Sequence, residues 1–401
     1  MYIDTQNLER KTTLSQAKRA LLDRYLQGKA VAVSDSAFVK RPEGFAQLSP
    51  AQLRLWYLHK INPNSSGYNY STALRLTGNL DLSVLQKCIN EIVSRHEILR
   101  TAIAEVNGQP KLVLAPELCL SIQRRDLTHL PESQREAESQ RISRDDGNTA
   151  FNLTTGPLLR VSLLCLGQQE HEEVFILVFS AHHIAFDGWS AGVLLREFAT
   201  LYQAFIKGQD SPLPELAVQY ADFSYWQHNR LQGQRLVQQL GYWKKQLQGI
   251  PELLELPADR SRPSVRSYQG ASYFFNISPE LTARLHKIGQ SNGCTLFTLL
   301  LSCFNILLHR YSGEKDICVG IPFAGRTKPE LENLIGFFIN TLVIRTKLEN
   351  NPSFIELIKT TQEQVLDAQS NQDVPFDKLV EELKPQRNPG YNPIFQVMFV
   401  L

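Results

Sequence analysis

The sequence predicts an α/β protein built as two lobes that follow each other along the chain. Its 401 residues exceed the roughly 250–300 residues at which single hydrophobic cores stop growing. Alternating and helically spaced apolar residues form two successive series of strands and helices. The clearest break between the series is the polar, proline-containing stretch 207–214. We therefore predict lobes at 45–218 and 219–401, after a segment, 1–44, with an amphipathic helix at 14–26 and a linker.

The first lobe carries its most apolar strand directly before a loop rich in polar side chains. Residues 174–180 are almost continuously apolar, which is typical of a central strand buried on both faces. An amphipathic helix begins near Ala191, so residues 181–190 connect a central strand to a helix. The other elements predicted in this lobe are a helix that starts after Ser49, a strand at 70–76, a helix from Leu85 to Val93, a hairpin turning at Asn107-Gly108, a helix at 132–145 and a strand at 158–166.

The second lobe is predicted to repeat the mixture of strands and helices. Its apolar run 296–308 falls short of the roughly 20 residues that span a bilayer and contains polar residues, so it predicts a core helix rather than a membrane span. The apolar run 393–401 has no turn residue or polar tail after it, although natural termini are usually exposed and frayed. We therefore expect an interrupted strand and a chain that is a fragment of a longer protein. The remaining predicted elements are helices near 281–289 and 353–368 and strands near 317–321 and 338–345.

Composition excludes several classes of partner. The 42 Lys and Arg residues nearly balance the 40 Asp and Glu residues, so no bulk field attracts nucleic acid or an anionic membrane. The six cysteines form no CxxC pair, which indicates reduced thiols. The N-terminus lacks a basic segment followed by an apolar one. These features predict a cytoplasmic protein.

The loop after the central strand carries the candidate chemistry. His182, His183 and Asp187 leave the strand end within six residues, where open α/β proteins tend to place ligands. Adjacent residues on extended backbone point to opposite sides, so this pattern predicts one working imidazole and one packed in the body. An imidazole with a pKa near 6.5 accepts a proton at neutral pH. Asp187 is expected to fix the loop through a buried ion pair to an arginine.

Other interpretations of the same loop remain open at this point. Gly188 to Gly192 reads GWSAG and fits the GxSxG nucleophile elbow of a hydrolase or thioesterase. Against it, Ser190 lies well beyond the last apolar residue of the strand rather than on a sharp turn. A metal site is disfavoured, because opposed histidines do not easily share an ion and no HxxxH or HExxH is present. Two ordinary core histidines are the plainest alternative.

The rest of the chain resembles one enzyme family. Residues His182 to Gly188 match HHxxxDG, the signature of condensation domains of nonribosomal peptide synthetases. Five further family motifs follow the family's order, and the resemblance covers about 45–401. They are Leu48 to Trp56 (SxAQxRLW), Arg95 to Thr101 (RHExLRT), Tyr220 to Trp226 (YxDYAxW), Ile335 to Thr341 (IGxFxNT) and Asn371 to Asp377 (NQDxPFE).

Sub-types of the family differ at positions visible in this chain. Heterocyclisation domains carry aspartates in place of His182 and His183, and epimerisation domains usually continue as DGxSW. The related BAHD acyltransferases end in a DFGWG element that is missing here. The opening motifs look most like domains that use an L-configured donor, while a starter domain with a fatty-acyl donor stays open. The motif that begins at Arg387 lacks the aspartate that usually follows the arginine.

The resemblance implies a fold, an activity and a set of partners. It implies two chloramphenicol-acetyltransferase-like lobes that form a V with a central tunnel. The implied enzyme is an acyltransferase that forms an amide bond between two thioesters. Their phosphopantetheine arms belong to an upstream and a downstream carrier protein. No cofactor or metal is expected in the domain itself, and an adjoining adenylation domain is expected.

Roles for the site residues follow from the same resemblance. His183 is the expected working imidazole, as a base or as an orienting group, and His182 its packed support. Gly188 is expected to let the backbone approach the reacting centre. Asp187 is expected to have a structural role, paired with Arg95 or Arg100. The residues expected to line the tunnel are Trp189, Ser190 and Asn340.

Overall fold

The structure is a computed structural model that describes residues 38–264, 270–386 and 388–401. The helix predicted at 14–26 lies outside the described residues. The chain forms two compact units. The described part of the first comprises 38–230 and Ala324–Ile339, and the second comprises the described parts of Leu231–Phe323 and Asn340–Leu401.

The first unit therefore includes two stretches that the sequence assigned to the second lobe. One is 219–230 and the other is 324–339. Their apolar side chains, among them Tyr220, Phe223 and Phe338, are buried in the same core as those of the first lobe. Burial of large aromatic side chains outweighs sequence position in deciding which unit a segment joins.

The described part of the first unit is built on a four-stranded sheet in the order β1-β6-β5-β4. Strand β6 is central and antiparallel to both of its neighbours. Alternate residues of β6 face two different cores, since Leu177 and Phe179 belong to one cluster and Ile176 and Val178 to another. The elements are α1 (Pro50–Ile61), β1 (Asn69–Thr77), α2 (Leu82–Arg95), β2 (Thr101–Val106), β3 (Gln109–Leu114), β4 (Gln123–Asp126), α3 (Glu132–Asn148), β5 (Leu159–Gln169), β6 (Glu172–His182), α4 (Gly188–Phe205) and α5 (Tyr220–Arg230).

Helices α2 and α4 pack together and share the larger core with β6. Helix α3 covers the other face through Ile142. Helix α1 begins at Pro50 with a capping box formed by Ser49 and Gln52, as the Ser-Pro pair predicted.

The described part of the second unit contains a three-stranded sheet in the order β8-β7-β9. Strand β9 is parallel to β7, and within the apolar run 393–401 only Val397–Met398 is paired. The elements are α6 (Gly233–Gln246), α7 (Pro279–Ser291), α8 (Leu296–Ser312), β7 (Asp316–Phe323), β8 (Asn340–Lys347), α9 (Phe354–Ser370), α10 (Phe376–Leu383) and β9 (Val397–Met398). The strands and helices predicted between residues 45 and 370 are thereby confirmed, with ends that shift by a few residues.

No single helix within the described ranges is long and apolar enough to cross a membrane. Helices α7 and α8 have the length and composition of a span only when taken together, and a bend of 104° separates them.

Candidate functional site

The candidate site is the loop 183–187, which leaves the central strand of the first unit. The strand pairing continues for one residue, because His183 N donates to Tyr68 O at 2.8 Å. Two tight turns follow, in which Ala185 N donates to His182 O (3.0 Å) and Phe186 N donates to His183 O (3.2 Å). The side chain of Gln52 in α1 holds the loop from outside by donating to Ile184 O at 2.9 Å. The backbone around both histidines is therefore fixed by its own hydrogen bonds.

His182 is packed in the body of the unit. Its side chain is 3% exposed, and its ring lies edge-on to Phe151 with 6.2 Å between centroids. Nδ1 accepts a hydrogen bond from Ile184 N at 3.1 Å, so the ring proton resides on Nε2. Burial, followed by the nearby His59 and His183, lowers the pKa of His182 to about 3. The ring is thus neutral at physiological pH.

His183 is half-buried and its ring faces different neighbours from those of His182. Nδ1 lies 2.9 Å from Phe186 O. A carbonyl oxygen only accepts, so Nδ1 donates and Nε2 carries the free lone pair. The pKa of His183 is lowered, because the effect of burial is larger than the opposing effects of the Phe186 carbonyl and the Asp187 carboxylate. Within the described residues no hydrogen bond reaches Nε2, so this imidazole is a neutral acceptor available to a substrate.

Asp187 forms a buried ion pair, but with Arg326 rather than with Arg95 or Arg100. Arg326 Nη2 lies 2.9 Å from Asp187 Oδ1, and both side chains are at most 1% exposed. The second carboxylate oxygen accepts from Phe338 N at 3.1 Å. Asp187 also caps α4 by accepting from Ser190 N at 2.8 Å. The expected structural pairing exists, and its partner comes from the segment 324–339.

The two arginines proposed from the RHExLRT motif bind elsewhere. Arg95 Nε donates to Glu197 Oε1 at 3.0 Å, and His96 Nε2 lies 2.8 Å from the other oxygen of that carboxylate. Arg100 donates to the backbone carbonyls of residues 115 and 116. Both arginines bind away from the loop, because the last turn of α2 and the short turn after it lie against Glu197 and the end of β3.

The hydroxyl of Ser190 is buried inside the same ion-pair network. It donates to Asp187 Oδ1 (2.7 Å) and accepts from Gly336 N (3.0 Å) and from Arg326 Nη2 (3.0 Å). The residue is 0% exposed and lies in the first turn of α4. A nucleophile elbow needs an exposed hydroxyl beside a histidine, and Ser190 has neither. Its burial also argues against the expected position on a substrate passage.

The other residues expected at the site have simpler surroundings. A Cβ atom built on Gly188 would meet nothing within 4 Å, so the backbone there is open to a ligand. Trp189 is 47% exposed, and its indole N–H donates to Glu332 O at 2.9 Å. The Asn340 amide donates to Gln372 O (2.8 Å) and Val374 O (2.7 Å), both within the second unit. Asn340 thus fixes a backbone turn.

The segment 324–339 supports the loop through Arg326, a residue that sequence reasoning missed. Gly336 leaves room for the Tyr220 ring, since a Cβ atom there would overlap it. The Tyr220 hydroxyl donates to Phe337 O at 2.7 Å. The motif IGxFxNT, which begins in this segment, was visible in the sequence. The pairing of the neighbouring Arg326 with Asp187 was not, because it spans 139 residues.

The fold places the chain in a known class. It superposes on a four-domain nonribosomal peptide synthetase crystallised with AMP and glycine, with a TM-score of 0.78 and 25% identity over 92% of this chain and 27% of that one. The fold is that of the chloramphenicol-acetyltransferase-like class, as the sequence predicted.

The model of the Condensation domain family matches residues 42–401, and the chain belongs to that family. A linear gramicidin synthase protein of Brevibacillus parabrevis is 45% identical over 359 residues, which are 90% of this chain and 7% of that protein. Phosphinothricin tripeptide synthetase PhsC of Streptomyces viridochromogenes is 39% identical over 394 residues, 98% of this chain and 36% of that protein. The chain therefore spans a small part of the multidomain synthetases that it resembles. Condensation domains of such synthetases form amide bonds by acyl transfer, which confirms the predicted class of enzyme.

Proposed function

We propose that this domain transfers an acyl or peptidyl group from an upstream carrier-bound thioester to the amine of a downstream aminoacyl thioester. The observation that carries the proposal is His183, whose Nδ1–H is bound to Phe186 O while Nε2 has no hydrogen-bond partner in the part of the chain that the structure describes. The relatives are synthetases of peptides, and their carrier proteins supply substrates on phosphopantetheine arms. An adenylation domain in the same protein, a cytoplasmic location and an L-configured donor are parts of the proposal.

In the proposed reaction a C–N bond forms and a C–S bond breaks. The amine attacks the thioester carbonyl carbon, and its proton passes to His183 Nε2. The tetrahedral intermediate expels the thiolate, which takes that proton and leaves as the thiol. An α-amino group titrates near 7.7–8.0, so an appreciable fraction is neutral at pH 7. His183 then needs to orient the amine and hold one proton, without a covalent intermediate on the enzyme.

The test is product analysis with both substrates attached to carrier proteins. The whole chain is mixed with an acyl-loaded donor carrier and an aminoacyl-loaded acceptor carrier, and both carriers are examined by mass spectrometry. Condensation adds the mass of the acyl group to the acceptor and returns the donor to its free thiol. Free acid in solution, with the acceptor unchanged, would instead indicate the thioesterase alternative. A reaction without the chain corrects for spontaneous aminolysis.

A further inference from the structure

The imidazole of His183 lies between two aromatic side chains of the first unit. The Tyr70 ring is edge-on to it, with 6.0 Å between centroids and 75° between planes. The Phe337 ring lies on it at 5.9 Å and 54°. All three side chains are half-buried. The Tyr70 and Phe337 rings are therefore the aromatic neighbours of the imidazole proposed to act on the substrate.

Neither aromatic residue belongs to the fixed part of a family motif. Tyr70 lies outside the six motifs, and Phe337 occupies the first free position of IGxFxNT. The motifs include His183 and Asp187, whereas Tyr70, Phe337 and Arg326 lie outside their fixed positions. Positions that contact the substrate without taking part in the chemistry are those that decide which substrate is preferred.

Tyr70 places a polar group, its hydroxyl, among the aromatic neighbours of His183. The phenol remains protonated at neutral pH, because burial and then the charge of Asp187 raise its pKa. Within the described residues the structure gives no hydrogen bond to its hydroxyl, whereas Tyr220 in the same unit has two close partners. Of the two described aromatic side chains that contact the His183 ring, Tyr70 is the one that carries a hydrogen-bond donor.

We propose that Tyr70 is a specificity-determining residue that donates a hydrogen bond to an acceptor group of the acyl donor, next to the reacting carbonyl. The preferred donor is then an N-acylated aminoacyl or peptidyl thioester rather than a plain fatty-acyl thioester. A fatty-acyl chain has no acceptor at that place and leaves the phenol without a partner, which costs binding energy. This inference rests on the proposed function and narrows its substrate class.

The experiment compares two donors of equal chain length, N-acetylglycyl-pantetheine and pentanoyl-pantetheine, with the same aminoacyl acceptor. The quantity measured is the kcat/KM for N-acetylglycyl-pantetheine divided by the kcat/KM for pentanoyl-pantetheine. Tyr70→Phe keeps the ring and removes only the hydroxyl, so it should lower the ratio by about 2- to 10-fold, the value of one hydrogen bond. Tyr57→Phe, a change of the same kind at an exposed tyrosine of α1, should leave the ratio unchanged.

A binding measurement separates this inference from the proposed function. Calorimetry with the non-transferable amide analogues of both donors should show the same loss of preference in Tyr70→Phe. If wild-type chain forms the amide and Tyr70→Phe leaves both ratios unchanged, the inference is overturned and the proposed function stands. If wild-type chain forms no amide from either donor, the proposed function fails and the inference fails with it.

Discussion

His183 owes its chemical state to one backbone carbonyl. Phe186 O accepts the Nδ1 proton, and this assigns the lone pair to Nε2 without the help of a carboxylate on the ring. The Asp187 carboxylate is occupied by Arg326, Ser190 and Phe338 N. The site therefore differs from a catalytic triad, in which the carboxylate orients the histidine directly.

The first prediction concerns this imidazole. His183→Ala should lower carrier-dependent amide formation by about 10²–10⁴-fold, the usual contribution of a positioned acid–base group. The protein should remain folded, because the half-buried His183 side chain is not among the buried residues of the core. Initial rates by mass spectrometry and a thermal melt check both statements. Near-full activity in folded His183→Ala would remove His183 from the mechanism.

At the residue scale the sequence predicted where the site residues lie along the fold better than it predicted which side chains they contact. It placed two opposed histidines after a buried strand, because strand periodicity and apolar runs are local signals. It missed Arg326, Tyr70 and Phe337, which meet the loop from distant parts of the chain. Local patterns carry no information about which of many arginines a buried carboxylate will find.

The start of helix α4 and the segment 324–339 are linked by several hydrogen bonds, and the buried Asp187–Arg326 ion pair is part of this contact. Breaking a buried pair from one side typically costs about 3–5 kcal/mol, since the remaining charge has no partner. Asp187→Ala and Arg326→Ala should each lower the free energy of unfolding by this order. Urea denaturation measures the change.

The double variant Asp187→Ala/Arg326→Ala is the internal control for that pair. It should cost less than the sum of the two single changes, because neither charge is left alone. Full additivity would show that the two residues stabilise the unit independently. An unchanged stability with lost activity in Asp187→Ala would point to a catalytic role instead.

A substitution at Gly336 tests how closely the segment 324–339 packs against Tyr220. A Cβ atom at Gly336 would overlap the buried Tyr220 ring, so Gly336→Ala should destabilise the protein by about 1–3 kcal/mol. Gly192 in α4 is exposed and has open space around its Cβ position. Gly192→Ala should therefore raise stability by about 0.5–1 kcal/mol. Thermal melts give the stability of both variants. Equal melting temperatures would contradict the close packing of Gly336 against Tyr220.

On the scale of the whole molecule, the neutral His182 makes folding sensitive to acid. The folded-state pKa is about 3, and an unfolded histidine titrates near 6.5. Between these values only the unfolded chain binds the proton, so stability is lost as the pH falls from about 6.5 toward 3. At pH 5.5 this single group should reduce the free energy of unfolding by about 1.4 kcal/mol relative to pH 7.5.

Urea unfolding at the two pH values measures this loss. His182→Gln should show a smaller loss than wild type by about that amount. His286→Gln, a change at an exposed histidine of α7, should show the wild-type loss. If His182→Gln keeps the full wild-type pH dependence, another group is responsible.

The first unit is assembled from two stretches of sequence that are separated by more than ninety residues of the second. A gene exchange that replaced only the stretch before residue 231 would combine an Asp187 from one parent with an Arg326 from another. It would also pair the Tyr70 of one parent with the Phe337 of the other beside the same imidazole. Recombinant synthetases that keep both stretches from one parent should therefore retain substrate preference, and those divided between them should lose it. An exchange that keeps the first unit intact therefore needs a pair of cuts that carries 324–339 together with the stretch before residue 231.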